Sequence, residues 1–137
     1  MQWGQMTENS FVHSVQLTLN TMEEDYTYTY LMGISGAAFR FHFHPDWCPS
    51  TTDATTGFDV SKTLFYSLGY KAELIEIDDK SFLDIQRLYK KIIENINRGI
   101  PIVAINLKVC PEWGIITGYT KTKPGIICRT YFDEGDN

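Results

Sequence analysis

The sequence predicts an α+β fold with N-terminal helices packed on a mainly antiparallel sheet. Three observations carry this. Helix-period stretches come mostly first, consecutive strand-like runs come last, and 121–125 (Lys-Thr-Lys-Pro-Gly) is a turn between the last two of those runs. At 137 residues, with no linker or internal repeat, the chain is expected to form a single domain, 1–137, able to bury a core without disulfides or metals.

The first helix is predicted from Phe11, Val15 and Leu19, which recur at i, i+4 and i+8, with Val12 widening the stripe. Thr7, Asn9 and Ser10 are all suitable N-caps ahead of it. The stretch 26–30 alternates Tyr and Thr like a strand. Followed onward, Tyr28, Leu31, Met32 and Ser35 fall at helical spacing behind a capping Thr27, so a short helix is the reading. Residues 39–44 alternate Phe with Arg and His, which predicts a half-buried strand, and 45–57 is a loop rich in Pro, Ser, Thr and Asp. A third helix runs from near Asp59 to Gly69, followed by a strand over 70–77. The clearest helix is 81–98. Ser81 caps it, Ile85, Leu88, Ile92 and Ile96 form its inner stripe, and Gly99 and Pro101 end it. Lys90, Lys91 and Glu94 lie on its solvated face. Strands over 102–107, 114–119 and 125–131 complete the reading.

Apolar residues make up 43% of the chain and aromatic residues 14%, as in a globular protein. A net charge of -5, with no basic cluster beyond Lys90-Lys91, argues against a nucleic-acid partner. No apolar run is long enough to cross a bilayer, and the start Met1-Gln2-Trp3-Gly4-Gln5 lacks the features of a secretory signal. Cys48, Cys110 and Cys128 form an odd set without metal-type pairing, so reduced thiols and a cytoplasmic location are expected. The acidic end, 133–137, reads either as a polar tail or as the edge of a longer polypeptide.

The order of these signals resembles a known family. A capped N-terminal helix, a later helix ending Arg98-Gly99, the strand 101–105 (Pro-Ile-Val-Ala-Ile) and then 113–119 (Trp-Gly-Ile-Ile-Thr-Gly-Tyr) resemble the papain-like cysteine peptidase fold of bacteriocin-leader peptidases. More narrowly, 30–40 (Tyr-Leu-Met-Gly-Ile-Ser-Gly-Ala-Ala-Phe-Arg) is similar to the N-terminal domain of the butirosin-biosynthesis acyltransferase family of bacteria. In that fold a thiolate at the start of the first helix attacks a carbonyl, and a histidine across the cleft acts as base.

Carried over by position, the resemblance puts the nucleophile at Asn9 or Ser10, the histidine at Glu112 and its orienting group near Thr130. Gln5 takes the oxyanion-stabilising position, with Gln2 as competitor. None of the three central positions keeps its chemistry, and no histidine follows His44. Asparagine is no nucleophile, and a serine without a base stays a hydroxyl at neutral pH. Glu112 is weakly basic beside an alcohol, even with a pKa raised by burial. The resemblance therefore implies a non-peptidase with a degenerate active site. It would bind a small-molecule or peptide ligand, or a partner domain, and no cofactor is expected.

Two other readings stay open. The first is acyl transfer or amide hydrolysis by Ser10, Cys48 or Cys110. The second is a metal site made by His42, His44 and Cys48 with Asp46, since two histidines two apart on a strand share a face. Polar residues on a half-buried strand give the same pattern, and no metal is expected there. His13, three residues after Ser10, aligns poorly as its base and is read as a surface or hydrogen-bonded histidine. Cys128 is read as a small core residue. Tyr26, Tyr28 and Tyr30 either line a ligand groove or, more ordinarily, pack on neighbours.

Overall fold

The computed structural model describes residues 1, 5–40, 57–76, 82–109 and 111–133. Among them are four α-helices, one 3-10 turn and one three-stranded antiparallel sheet, a mixed α+β arrangement. They divide into two compact units, one formed by Met1–Asp25 with Ile75–Asn137 and the other by Tyr26–Leu74. No helix of the described residues is long and apolar enough to cross a membrane.

The first unit holds α1 (Ser10–Thr21), α4 (Phe82–Asn97) and the sheet of β1 (Ile102–Ile105), β2 (Trp113–Tyr119) and β3 (Ile126–Arg129). Asn9 is the N-cap of α1, its Oδ1 accepting the Val12 N–H at 2.9 Å. Phe11, Val12, Val15 and Leu19 are buried, the stripe that the spacing predicts. Strand order is β1-β2-β3, with Ile102 opposite Ile116 and Ile105 opposite Trp113. Across the other edge Ile115 faces Arg129, and a bulge between Ile116 and Gly118 shifts the register.

Successive strand side chains point to opposite faces. Ile115 and Ile116 are both buried, so β2 is covered on both sides at its centre. The Phe11 ring meets Trp113 edge-on, 5.0 Å between centroids, which sets α1 against the Trp113 face. The helix α4 also packs on β1 and β2. Its contacts include the Tyr119 hydroxyl donating to Asn97 Oδ1 at 2.9 Å, and Tyr89 against the backbone of Gly125.

Gly99, at φ 78°, stops α4 as predicted. Its predicted cap, Ser81, lies outside the described residues. The predicted inner stripe is only partly inside. Ile92 is buried, Leu88 and Ile96 are half-buried, and Ile85 is 47% exposed. Burial of the stripe thus declines from Ile92 toward the amino-terminal turns of α4. Phe82 and Leu83 stand 72% and 74% exposed.

The second unit holds α2 (Tyr28–Ile34), a 3-10 turn (Ala37–Phe39) and α3 (Val60–Leu68). Thr27 caps α2 through the Tyr30 N–H, as predicted. Asp59 caps α3, and Gly69 closes it at φ 75°. Leu31 and Leu64 are the fully buried anchors where α2 packs on α3. Tyr26 and Tyr30 stack on each other, 5.7 Å apart and nearly parallel. Arg40 lies over the Phe58 ring at 3.9 Å.

Three expectations need correction. Of the predicted strand 70–77, residue 77 lies outside the described residues, and 70–76 are not strand, pair with no strand among the described residues, and are exposed over 71–76. Alternation alone does not make a strand, which also needs a neighbour to complete its N–H and C=O ladder. Phe39 does not open a strand either. Gly36, at φ 79°, redirects the chain, and the Ser35 hydroxyl accepts the Ala37 N–H at 3.2 Å. The next residues close i to i+3 bonds and leave Phe39 84% exposed. The rest of that predicted strand and the loop up to residue 56 lie outside the described residues. Finally, Cys128 is half-buried rather than core: β3 is the outer strand of the sheet among the described residues, and Thr130 and Tyr131, just beyond its end, supply the buried anchors.

Candidate functional site

The start of α1, the start of β2 and the end of β3 meet within the first unit. Ser10 is the first residue of α1 and is 2% exposed. Its Oγ accepts the backbone N–H of Trp113 at 3.2 Å, a bond across 103 positions of sequence. Its carbonyl accepts the Ser14 hydroxyl at 2.7 Å. Asn9, also buried, commits its side-chain oxygen to the Val12 N–H.

Glu112 stands immediately before Trp113 and is half-buried. Its backbone ends a tight turn in which Glu112 N–H donates to Val109 O, and Asn106 N–H donates to Glu112 O, both at 3.0 Å. Asn106 makes that turn at φ 62°, a region asparagine tolerates. Gly114 then approaches β3 so closely that a Cβ there would lie 2.5 Å from Arg129 O and 2.9 Å from Thr130 Cγ2. Glycine is the residue that permits this approach.

Thr130, 1% exposed, has its polar atoms engaged in its own turn. Its N–H donates to Asp133 Oδ2 at 3.2 Å, its hydroxyl to Asp133 Oδ1 at 3.3 Å, and it accepts the Phe132 N–H at 3.1 Å. Asp133 also pairs with Lys108 Nζ at 2.6 Å, tying the turn before β2 to the segment after β3. Burial alone would raise the Asp133 pKa. The bond from Lys108 and those from Thr130 outweigh it and hold the carboxyl below its ordinary value, while the same bond raises Lys108.

The structure therefore brings Asn9, Ser10, Glu112 and Thr130 to one junction. It commits Asn9, Ser10 and Thr130 to bonds that hold the backbone. Among the described residues, no imidazole or carboxylate is hydrogen-bonded to the Ser10 hydroxyl. Gln5 is exposed on the segment leading to α1. Gln2, His42, His44, Asp46, Cys48 and Cys110 lie outside the described residues. Within those residues no three His, Cys, Asp or Glu side chains gather to hold a metal.

One contact at this junction is not foreseen from sequence. Tyr131, buried, donates its hydroxyl proton to Thr7 O and also lies 2.5 Å from His13 Nδ1. A phenol has one proton. The direction of the bond between His13 Nδ1 and the Tyr131 hydroxyl follows the imidazole tautomer. Burial, and then the positive charge of the N-terminus, lower the His13 pKa below its ordinary value. The signal in the sequence is slight: a polar residue on the α1 stripe's flank, and an aromatic at the last position of the predicted strand 125–131.

No protein-family model, curated protein or solved structure matches this chain.

Proposed function

We propose that this chain is a papain-like domain, akin to bacteriocin-leader peptidases and the butirosin-type acyltransferases, whose catalytic positions serve as structure. Its role in this reading is to bind a small-molecule or peptide ligand, or a partner domain, without turning it over. The observation that carries the reading is the state of Ser10. A nucleophile must be reachable and must be able to pass its proton to a base. Ser10 is buried, and its oxygen accepts the Trp113 N–H instead. Support for the papain-like part comes from the meeting of the α1 start with the residues just before and within β2, where that fold assembles its cleft. Support for binding comes from Phe82, Leu83 and Ile85, a run of exposed apolar side chains of the kind that partners cover. Reduced thiols and residence in the cytoplasm belong to the same proposal.

The test is chemical. The protein is incubated with a fluorophosphonate and, separately, with iodoacetamide, and intact mass is followed with time. The expected result is no stoichiometric serine adduct and only slow alkylation. Rapid one-to-one labelling of Ser10, or of Cys48 or Cys110, overturns the non-catalytic reading and makes acyl transfer or amide hydrolysis the better one.

A further inference from the structure

We draw no further inference here: the strongest candidate, the apolar surface patch at the amino-terminal turns of α4 formed by Phe82, Leu83 and Ile85, is an unpartnered face, and nothing in the structure shows what covers it.

Discussion

The amino ends of α1 and α4 belong to the same compact unit, and both helices pack on β1 and β2. They are held in opposite ways. At the start of α1, Asn9 and Ser10 are buried polar groups, each with a partner, and the Tyr131 hydroxyl reaches back to Thr7 O. At the start of α4 the side chains are large and apolar, yet Phe82 and Leu83 remain in solvent. The stronger amphipathic pattern thus belongs to the end with less burial. Periodicity names the face that a helix offers. How much of that face is covered depends on what packs against it, and along α4 the cover reaches Leu88, Ile92 and Ile96 but not Phe82, Leu83 or Ile85.

The contrast breaks first in the apolar core. Leu19→Ala on α1 should cost about 3 kcal/mol, because a buried leucine leaves a cavity as well as losing its transfer energy. Phe82→Ala on α4 should change stability by no more than about 0.5 kcal/mol, as at an ordinary surface position. Urea denaturation of the two variants reads the difference directly. Equal losses would mean that α4 is covered along its whole length and that the comparison is wrong.

A second comparison lies within β2. Gly114→Ala would push a methyl group against Arg129 O and Thr130 Cγ2, with an expected loss of about 2 kcal/mol by overpacking. Gly118→Ala meets Ile127 at 3.4 Å, an ordinary contact, and should stay within about 0.5 kcal/mol of the parent. Thermal unfolding of the pair tests whether β3 closes on β2 at the junction rather than along the whole hairpin.

The cap of α1 offers a smaller effect. Asn9→Ala removes the acceptor for the Val12 N–H and should cost about 1 kcal/mol, while Asn9→Asp should keep most of it. A loss much larger than this, unrelieved by aspartate, would show that the Asn9 amide does more than cap the helix.

Much of the framework is legible in the residues. The α1 stripe, the caps Asn9 and Thr27, the start of α3 near Asp59, the stops Gly69 and Gly99, and the closing hairpin all rest on local chemistry that each segment carries by itself. What the residues hide depends on partners distant in sequence. The stretch 70–76 has strand-like alternation but no neighbouring strand among the described residues. Phe39 alternates with its successors in sequence, yet behind a left-handed Gly36 it closes a 3-10 turn instead of opening a strand. At the site, spacing and resemblance nominate Asn9, Ser10, Glu112 and Thr130. Neither discloses that Ser10 would accept a backbone N–H, nor that His13 and Tyr131 would meet across 118 positions. A periodic pattern assigns a face; it does not name the group on the far side.

The finest test of the junction is its response to acid. His13 is held below its ordinary pKa of 6.5, first by burial and then by the N-terminal charge. Below that value the unfolded chain binds a proton that the folded chain resists, so folding loses stability as pH falls. The His13 contribution is therefore intact above about pH 6.5, declines as pH drops toward the lowered folded value, and levels off beneath it. The loss comes from placing a charge in a partly buried site beside another cation. His13→Gln should flatten this slope between about pH 6.5 and 5 while carboxylate titration continues at lower pH. Tyr131→Phe removes the hydroxyl from Thr7 O and His13 together, and should lower stability by about 1 kcal/mol across the whole range. Denaturant midpoints at half-unit pH steps separate the two behaviours. If His13→Gln leaves the slope between pH 6.5 and 5 unchanged, the imidazole is not the titrating group, and the acid response of the junction must be assigned elsewhere.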